Sequence, residues 1–440
     1  PRQKTEEIHV NMTTISCMLA AVLMAAPPAQ ADEAKGRIKS ISNKANTIQL
    51  DVKGKDRVVV GFDANTVFVG AAGSKEVSPP DLIVAEFEPG VPATRIKKIV
   101  FGLPPGVEID IQEMLAILQG QRGEYLLGDS RPAKRYVEGH VPSAVSTPVT
   151  KSEDFKAQLP GNKDQLLVFY CGGPTCPFTG QAVEIAQAAG FTNVKGFQAG
   201  IPGWKKQKLP VHSSRGWLAK NLDGHHVIID VRDPALAAKR HIPGAVTLTA
   251  AQLAAMTEQF IAQDKEALLP GVKDMRAPIV LYADTHSDRD VLLAFRELRG
   301  WGYSGVSVLE GGLDAWMADE LPVTDGALAT EIKYSKALAK GAIAPADFAD
   351  LEKSRDNVVF VDVRSDAEVA EKGQLKDSVH VPLDSLEGRL GELPQGKEVI
   401  VYCENGIRAE MAYETLRDKG YKARFLNEVI EFDADGNYSL

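Results

Sequence analysis

The chain has 440 residues, 44% of them apolar and 25% charged, which suits about three or four globular domains of ordinary composition. Its net charge of −9 gives no basis for binding nucleic acid. Four cysteines, Cys17, Cys171, Cys176 and Cys403, are too few for a disulfide-built framework, so each needs its own explanation.

The first element is an apolar run from Ile15 to Ala26, followed by Pro27-Pro28 and then Ala29-Gln30-Ala31, an Ala-x-Ala cleavage pattern. With Met12 as the expected initiator, residues 12–31 read as a secretory signal peptide, which implies a periplasmic or secreted protein. Arg2 and Lys4 would supply the leading positive charge if the start lies upstream. The run is short for a membrane span. A buried helix is the bland alternative, against which the proline pair and the cleavage pattern both argue. Cys17 has no Leu three positions before it, so a lipoprotein anchor is not expected. With no second long apolar stretch, the mature chain is expected to have no membrane span.

Residues 33–105 read as short strands: Arg37–Ile41, Thr47–Val52, Arg57–Phe62, Leu82–Phe87 and Ile96–Phe101, separated by Gly, Asn, Asp and Pro signals. The expectation is a small all-β barrel or sandwich. It contains no Cys and no His, so a packing or partner-binding module is the natural reading.

After Pro104-Pro105-Gly106 the pattern changes to alternating strands and helices, which implies parallel sheets. It also repeats three times. An apolar strand ends on Asp-x-Arg at Asp129-Ser130-Arg131, Asp230-Val231-Arg232 and Asp362-Val363-Arg364. Then come Gly139-His140-Val141-Pro142, His241-Ile242-Pro243-Gly244-Ala245 and His380-Val381-Pro382. A second buried strand follows at Leu166–Tyr170, Ile279–Tyr282 and Glu398–Tyr402, then a helical stretch and Gly190-Phe191, Gly302-Tyr303 or Gly420-Tyr421. Units of this size are whole domains rather than solenoid repeats.

These markers, with a Tyr-Cys at a strand end and Gly311-Gly312-Leu313-Asp314-Ala315-Trp316 near a domain end, resemble the rhodanese family over about three quarters of the chain. The resemblance implies three α/β domains, each with a five-stranded, mainly parallel sheet between helices. The expected division is 108–213, 214–325 and 335–440, behind a β module at 33–105.

In that family a cysteine opens the loop between a strand and a helix. Free N–H groups at the helix N-terminus favour an anion there, which supplies thiolate and can hold an anionic donor or a persulfide. Cys403-Glu404-Asn405-Gly406-Ile407-Arg408 is a C-x-x-G-x-R loop of this kind. Cys403 is the expected nucleophile. Arg408 brings a permanent cation, Gly406 allows the tight turn, and Glu404, Asn405, Gly406 and Ile407 form the substrate-binding loop. The third unit departs from the family in two ways: Gln374 stands at the first-motif His, and Asn427–Glu431 replaces the Gly-Gly…Trp ending.

The first unit has Cys171-Gly172-Gly173-Pro174-Thr175-Cys176-Pro177, two residues longer than the sulfurtransferase loop and without Arg. Pro174 and Pro177 each remove a donor, so the phosphate cradle of longer-loop relatives is not expected. Cys171, with Gly172 and Gly173 beside it, is a second expected catalytic thiol. Cys176 would resolve a sulfenate or persulfide on Cys171 through a reversible disulfide, and a static disulfide is the alternative. Two thiolates alone make a poor metal site.

The second unit has Ala283 at the cysteine position, so it reads as structural or substrate-shaping, with His286 a solvated loop residue. Asp129, Asp230 and Asp362 read as ion-pair partners of the nearby arginines rather than as acids.

The leading expectation is therefore an exported sulfurtransferase without metal or cofactor. It would take sulfane sulfur from a small donor such as thiosulfate or polysulfide to a thiol, protein or cyanide acceptor. Two alternatives stay open: a non-catalytic scaffold for partner binding, and a thiol–disulfide redox protein using Cys171 and Cys176.

Overall fold

The computed structural model describes residues 32–440 except 55, 56, 89, 151 and 434–436. The signal-peptide reading and Cys17 lie outside the described residues. The β module is one six-stranded sheet: β1 (Asp32–Ser42), β2 (Thr47–Val52), β3 (Val58–Gly61), β4 (Val67–Val69), β5 (Leu82–Phe87) and β6 (Arg95–Lys98), in the order β3-β2-β1-β5-β6-β4. All pairs are antiparallel except β4 with β6. Strand β4 was not expected, because three residues are too few to show a pattern. Alternation along β1 turns Ala34, Gly36 and Ile38 inward and leaves Lys35, Arg37 and Lys39 on the other face. A side chain at Gly36 would place its Cβ 2.6 Å from the Asp51 carbonyl oxygen, so this position requires glycine.

Three parallel sheets follow. The first contains β7 (Tyr125–Asp129), β8 (Val145–Ser146), β9 (Leu166–Tyr170) and β10 (Val194–Phe197), ordered β10-β9-β7-β8. Five strands were expected here, and the sheet has four. The fifth is reduced to a bridge between Glu108 and Gly196, because the chain turns at Asp110 to cap the helix Ile111–Leu118. The second sheet, β11 (His212–Ser213), β12 (Val227–Asp230), β13 (Val246–Thr247), β14 (Ile279–Tyr282) and β15 (Val306–Leu309), has the order β11-β15-β14-β12-β13. The third, β16 (Ala342–Ile343), β17 (Val358–Asp362), β18 (Val379–His380), β19 (Glu398–Tyr402) and β20 (Ala423–Leu426), has the order β16-β20-β19-β17-β18.

Every residue of β9, β12 and β14 is buried, which is why these segments read as continuous apolar runs rather than alternating ones. Each sheet carries a separate hydrophobic cluster on either face. In the first two domains a tryptophan closes one cluster. The Trp204 indole donates to the Pro210 carbonyl at 2.7 Å and the Trp316 indole to the Pro322 carbonyl at 2.8 Å. In the third, a hairpin of β21 (Glu431–Phe432) and β22 (Tyr438–Ser439) takes that place. Phe432 and Tyr438 pack around Tyr402 and Phe348.

Among the described residues no helix is long and apolar enough to cross a membrane.

Candidate functional site

One polar frame recurs under all three loops. Asp129, Asp230 and Asp362 are fully buried at strand ends, and each carboxylate accepts from the arginine two residues on. That arginine also donates to a carbonyl further along: Gly139, Arg240 or Gly373. The tyrosine before each loop accepts, through its hydroxyl, the backbone N–H of Val141, Ile242 or Leu375. These aspartates are structural ion-pair partners, as the sequence suggested. The frame fixes where each strand ends and so where each loop begins. Where the first two domains place His140 and His241 against the carbonyls of Tyr136 and Ala237, Gln374 of the third donates to the Ser378 carbonyl.

Cys403 sits at the end of β19 and is wholly buried. The chain turns on Gly406 (φ 83°) into the helix Ile407–Asp418. A Cβ at Gly406 would lie 2.8 Å from the Asn427 Cα, so the left-handed turn and the close approach both require glycine. Asn405 Oδ1 accepts the Ile407 N–H at 3.3 Å and lies 4.0 Å from the Cys403 sulfur.

Arg408 was expected to bring a permanent cation near the anion. It is buried, and its guanidinium donates to Glu368 at 2.6 and 2.8 Å, because Glu368 lies one helix away with both oxygens turned toward it. Burial pushes the Glu368 carboxyl up, but hydrogen bonds from Arg408 and from the N–H and hydroxyl of Ser365 hold it at about 2. Ser365 and Glu368 form a capping box at the helix Asp366–Lys372. Glu404 pairs with Lys44 of the β module and lies 3.6 Å from Lys372.

The Cys171 loop differs. Cys171 and Cys176 are free, buried thiols on one loop, with the Cys171 sulfur 3.5 Å from the Cys176 carbonyl oxygen. The Cys171 sulfur is fully buried and faces carbonyl oxygens, Cys176 O at 3.5 Å and Gly173 O at 3.9 Å. Its titration is raised, first by the contact with Cys176 and then by burial, against hydrogen bonds from Thr179. Cys176 is lowered, first by the Cys171 hydrogen bond and further by the N–H groups of Phe178 and Gly172 and by Arg37, against burial. Gly200 (φ 59°) backs this loop; a Cβ there would lie 2.4 Å from the Cys171 carbonyl oxygen.

The loop also leans on the β module. The Phe101 N–H donates to Pro174 O at 2.8 Å, Thr175 Oγ1 to Asp81 at 3.1 Å, and Arg37 reaches Thr175 O at 3.5 Å. Strand β1 and the turn after it thus link the first cysteine loop to the third domain. Arg37 touches the first, while Lys39 pairs with Glu414 and Lys44 with Glu404 in the third domain.

Ala283, buried at the cysteine position of the second loop, is followed five residues on by Asp288, where the third domain has Arg408. His286 is not solvated as expected. It is half-buried, its Nδ1 accepts the Gly311 N–H at 2.9 Å, and its ring lies 4.8 Å from that of His212 at the seam with the first domain. The loop folds back on the Gly311 turn and buries the ring. Among the described residues no group of His, Cys, Asp or Glu is arranged to hold a metal ion.

Sequence reasoning missed Arg37, Lys44 and Glu368. The first two lie far along the chain from the loops they touch. The third left a signal: Ser365-x-x-Glu368 is a capping-box pattern placed directly after Asp-x-Arg.

The profile of the rhodanese-like domain matches residues 111–207, 214–319 and 345–431. Two curated relatives are similar over parts of their length. A protein named Sulfurtransferase from Allochromatium vinosum is 35% identical over 72 residues, 16% of this chain and 65% of that one. The HTH-type transcriptional regulator Rv0324 from Mycobacterium tuberculosis is 38% identical over 91 residues, 21% of this chain and 39% of that one. The chain therefore spans about two thirds of the first and well under half of the second. A solved thiosulfate sulfurtransferase from Pseudomonas aeruginosa aligns at 18% identity with a TM-score of 0.21, covering 76% of this chain and 69% of that one. Three successive profile matches take in well over half of the residues and coincide with the three parallel sheets, so the chain belongs to the rhodanese-like family as three tandem domains.

Proposed function

We propose that this protein is an exported sulfurtransferase that carries sulfane sulfur as a persulfide on Cys403. The observation that carries the reading is the placement of Cys403: a thiol at the end of a parallel strand, one left-handed glycine turn before a helix N-terminus, with a buried arginine beside it. That setting favours bound anionic sulfur species. The thiolate attacks the outer sulfur of thiosulfate or a polysulfide. With thiosulfate the S–S bond breaks, sulfite leaves with the electron pair, and the sulfur stays on Cys403. A thiol or cyanide then takes the outer sulfur and the thiolate returns. The Arg408–Glu368 pair holds the loop in shape and offers its guanidinium edge to the anion.

Export is supported by the apolar run and the Ala-x-Ala pattern ahead of residue 32. Within this reading the second domain, with Ala283 and Asp288 in its loop, has no persulfide chemistry and serves as a packing or docking unit.

The test is thiosulfate-to-cyanide transfer by the Cys403→Ser variant of the full chain. A hydroxyl there cannot carry a persulfide, and the rate is expected to fall by at least about 100-fold. Unchanged turnover in the folded variant would place the chemistry elsewhere.

A further inference from the structure

Two free thiols on one strand-to-helix loop, the Cys171 sulfur 3.5 Å from the Cys176 carbonyl oxygen, can make an exchange site, and their surroundings are unequal. The Cys171 sulfur points at two carbonyl oxygens, which welcome an S–H and repel a negative sulfur, and this outweighs the opposing hydrogen bonds from Thr179. Cys176 stands two residues before the helix Phe178–Ala188, and the N–H groups of Gly172 and Phe178 lower its titration. Those groups suit a thiolate. Cys176 is also the thiol nearer solvent, at 8% exposure against none for Cys171. A cation from a different module, Arg37, stands by Cys176. The loop itself has no arginine: Cys176 stands five residues after Cys171, as Arg408 does after Cys403, and the nearby cation comes from strand β1 instead.

We propose that Cys176, not Cys171, is the entry thiol of a second site in the first domain, which loads sulfur from an anionic sulfane-sulfur donor and releases it as hydrosulfide. The Cys176 thiolate attacks the outer sulfur of thiosulfate. The donor S–S bond breaks, sulfite leaves with the pair, and Cys176 becomes a persulfide. Cys171 then attacks the Cys176 sulfur of that persulfide. Its proton leaves with the terminal sulfur as HS⁻, and a Cys171–Cys176 disulfide forms. The donor sulfur is reduced to sulfide and the two cysteines are oxidised. A thiol reductant resets the site, two RSH becoming RSSR as the dithiol returns. This scheme reverses the roles that the sequence order of the two cysteines suggests, and it stands independently of the chemistry at Cys403.

The experiment uses the full chain carrying Cys403→Ser, so that only the first domain is read, with thiosulfate as donor. With Cys171 and Cys176 intact, about one equivalent of sulfide per chain is expected, with a disulfide between the two cysteines and a mass loss of about 2 Da. With Cys171→Ser added, release stops and the peptide holding Cys176 gains about 32 Da, one sulfur atom. With Cys176→Ser added instead, neither sulfide nor adduct is expected. The chain with its native residues gives a check free of folding effects: brief iodoacetamide treatment near pH 7 followed by peptide mapping should label Cys176 at least several-fold ahead of Cys171. An adduct on Cys171 in the Cys176→Ser chain, faster labelling of Cys171, or thiosulfate leaving both cysteines unchanged would each overturn the proposal.

Discussion

Arg408 and Glu368 meet as a bidentate pair, at 2.6 and 2.8 Å, beneath the loop that begins at Cys403. Most of the guanidinium charge is therefore answered before any donor arrives. Planar two-point pairing fixes the arginine in position, which a lysine could not reproduce.

Glu368→Gln should separate the two roles of this pair. Leaving a buried guanidinium without its carboxylate is expected to cost about 3 kcal/mol of stability. An added anion should then restore more stability than it does in the unmodified protein, because the freed cation binds it. Thermal melts with and without thiosulfate check both effects, and equal shifts in the two proteins would rule out a freed anion site. Because the folded carboxyl titrates at about 2 against an ordinary 4.5, its contribution is present in full above about pH 4.5 and is lost as pH falls toward 2. The Gln variant should lack that component of acid sensitivity, which acid unfolding curves would show.

Lys44→Ala should open the third-domain loop. Cys403 has no exposed surface, and Lys44 ties Glu404 of the loop to the turn after β1. Alkylation of Cys403 is expected to speed up at least several-fold, and salt should have a similar effect on the unmodified protein, since a partly exposed ion pair is screened. Identical alkylation rates for variant and parent would show that the β module does not restrict access.

Tyr170→Phe should destabilise the first domain without touching a thiol. The hydroxyl donates to buried Asp129 at 2.8 Å and accepts the Val141 N–H at 3.0 Å, so its removal leaves both groups short of a partner. A loss of about 1–3 kcal/mol is expected in denaturant unfolding. A change within error would mean that the frame tolerates the vacancy through water.

Much of this was legible in the sequence because the repeats carry their own alignment. Asp129, Asp230 and Asp362 each precede an arginine by two residues, and that local spacing is enough to place the buried pair. The Cys403 loop was legible for the same reason: C-x-x-G-x-R is short and continuous. What escaped was assembled from distant parts. Arg37 is far from Cys176 in the chain, and only the docking of β1 brings them together. The surroundings of the two thiols were likewise invisible, since only the folded loop turns the Cys171 sulfur toward the carbonyls of Gly173 and Cys176. The fifth strand of the first sheet was implied by the family resemblance, and here it shrinks to the Glu108–Gly196 bridge because the chain turns at once into the Asp110 cap.

The most direct measurement is the location of sulfur on the native-sequence full chain after brief exposure to thiosulfate, by rapid alkylation, digestion and mass spectrometry. A gain of about 32 Da beyond alkylation on the peptide containing Cys403, removed by cyanide with formation of thiocyanate, is the expected result. A Cys403 peptide that stays unmodified while thiosulfate is consumed would contradict a persulfide carried on Cys403.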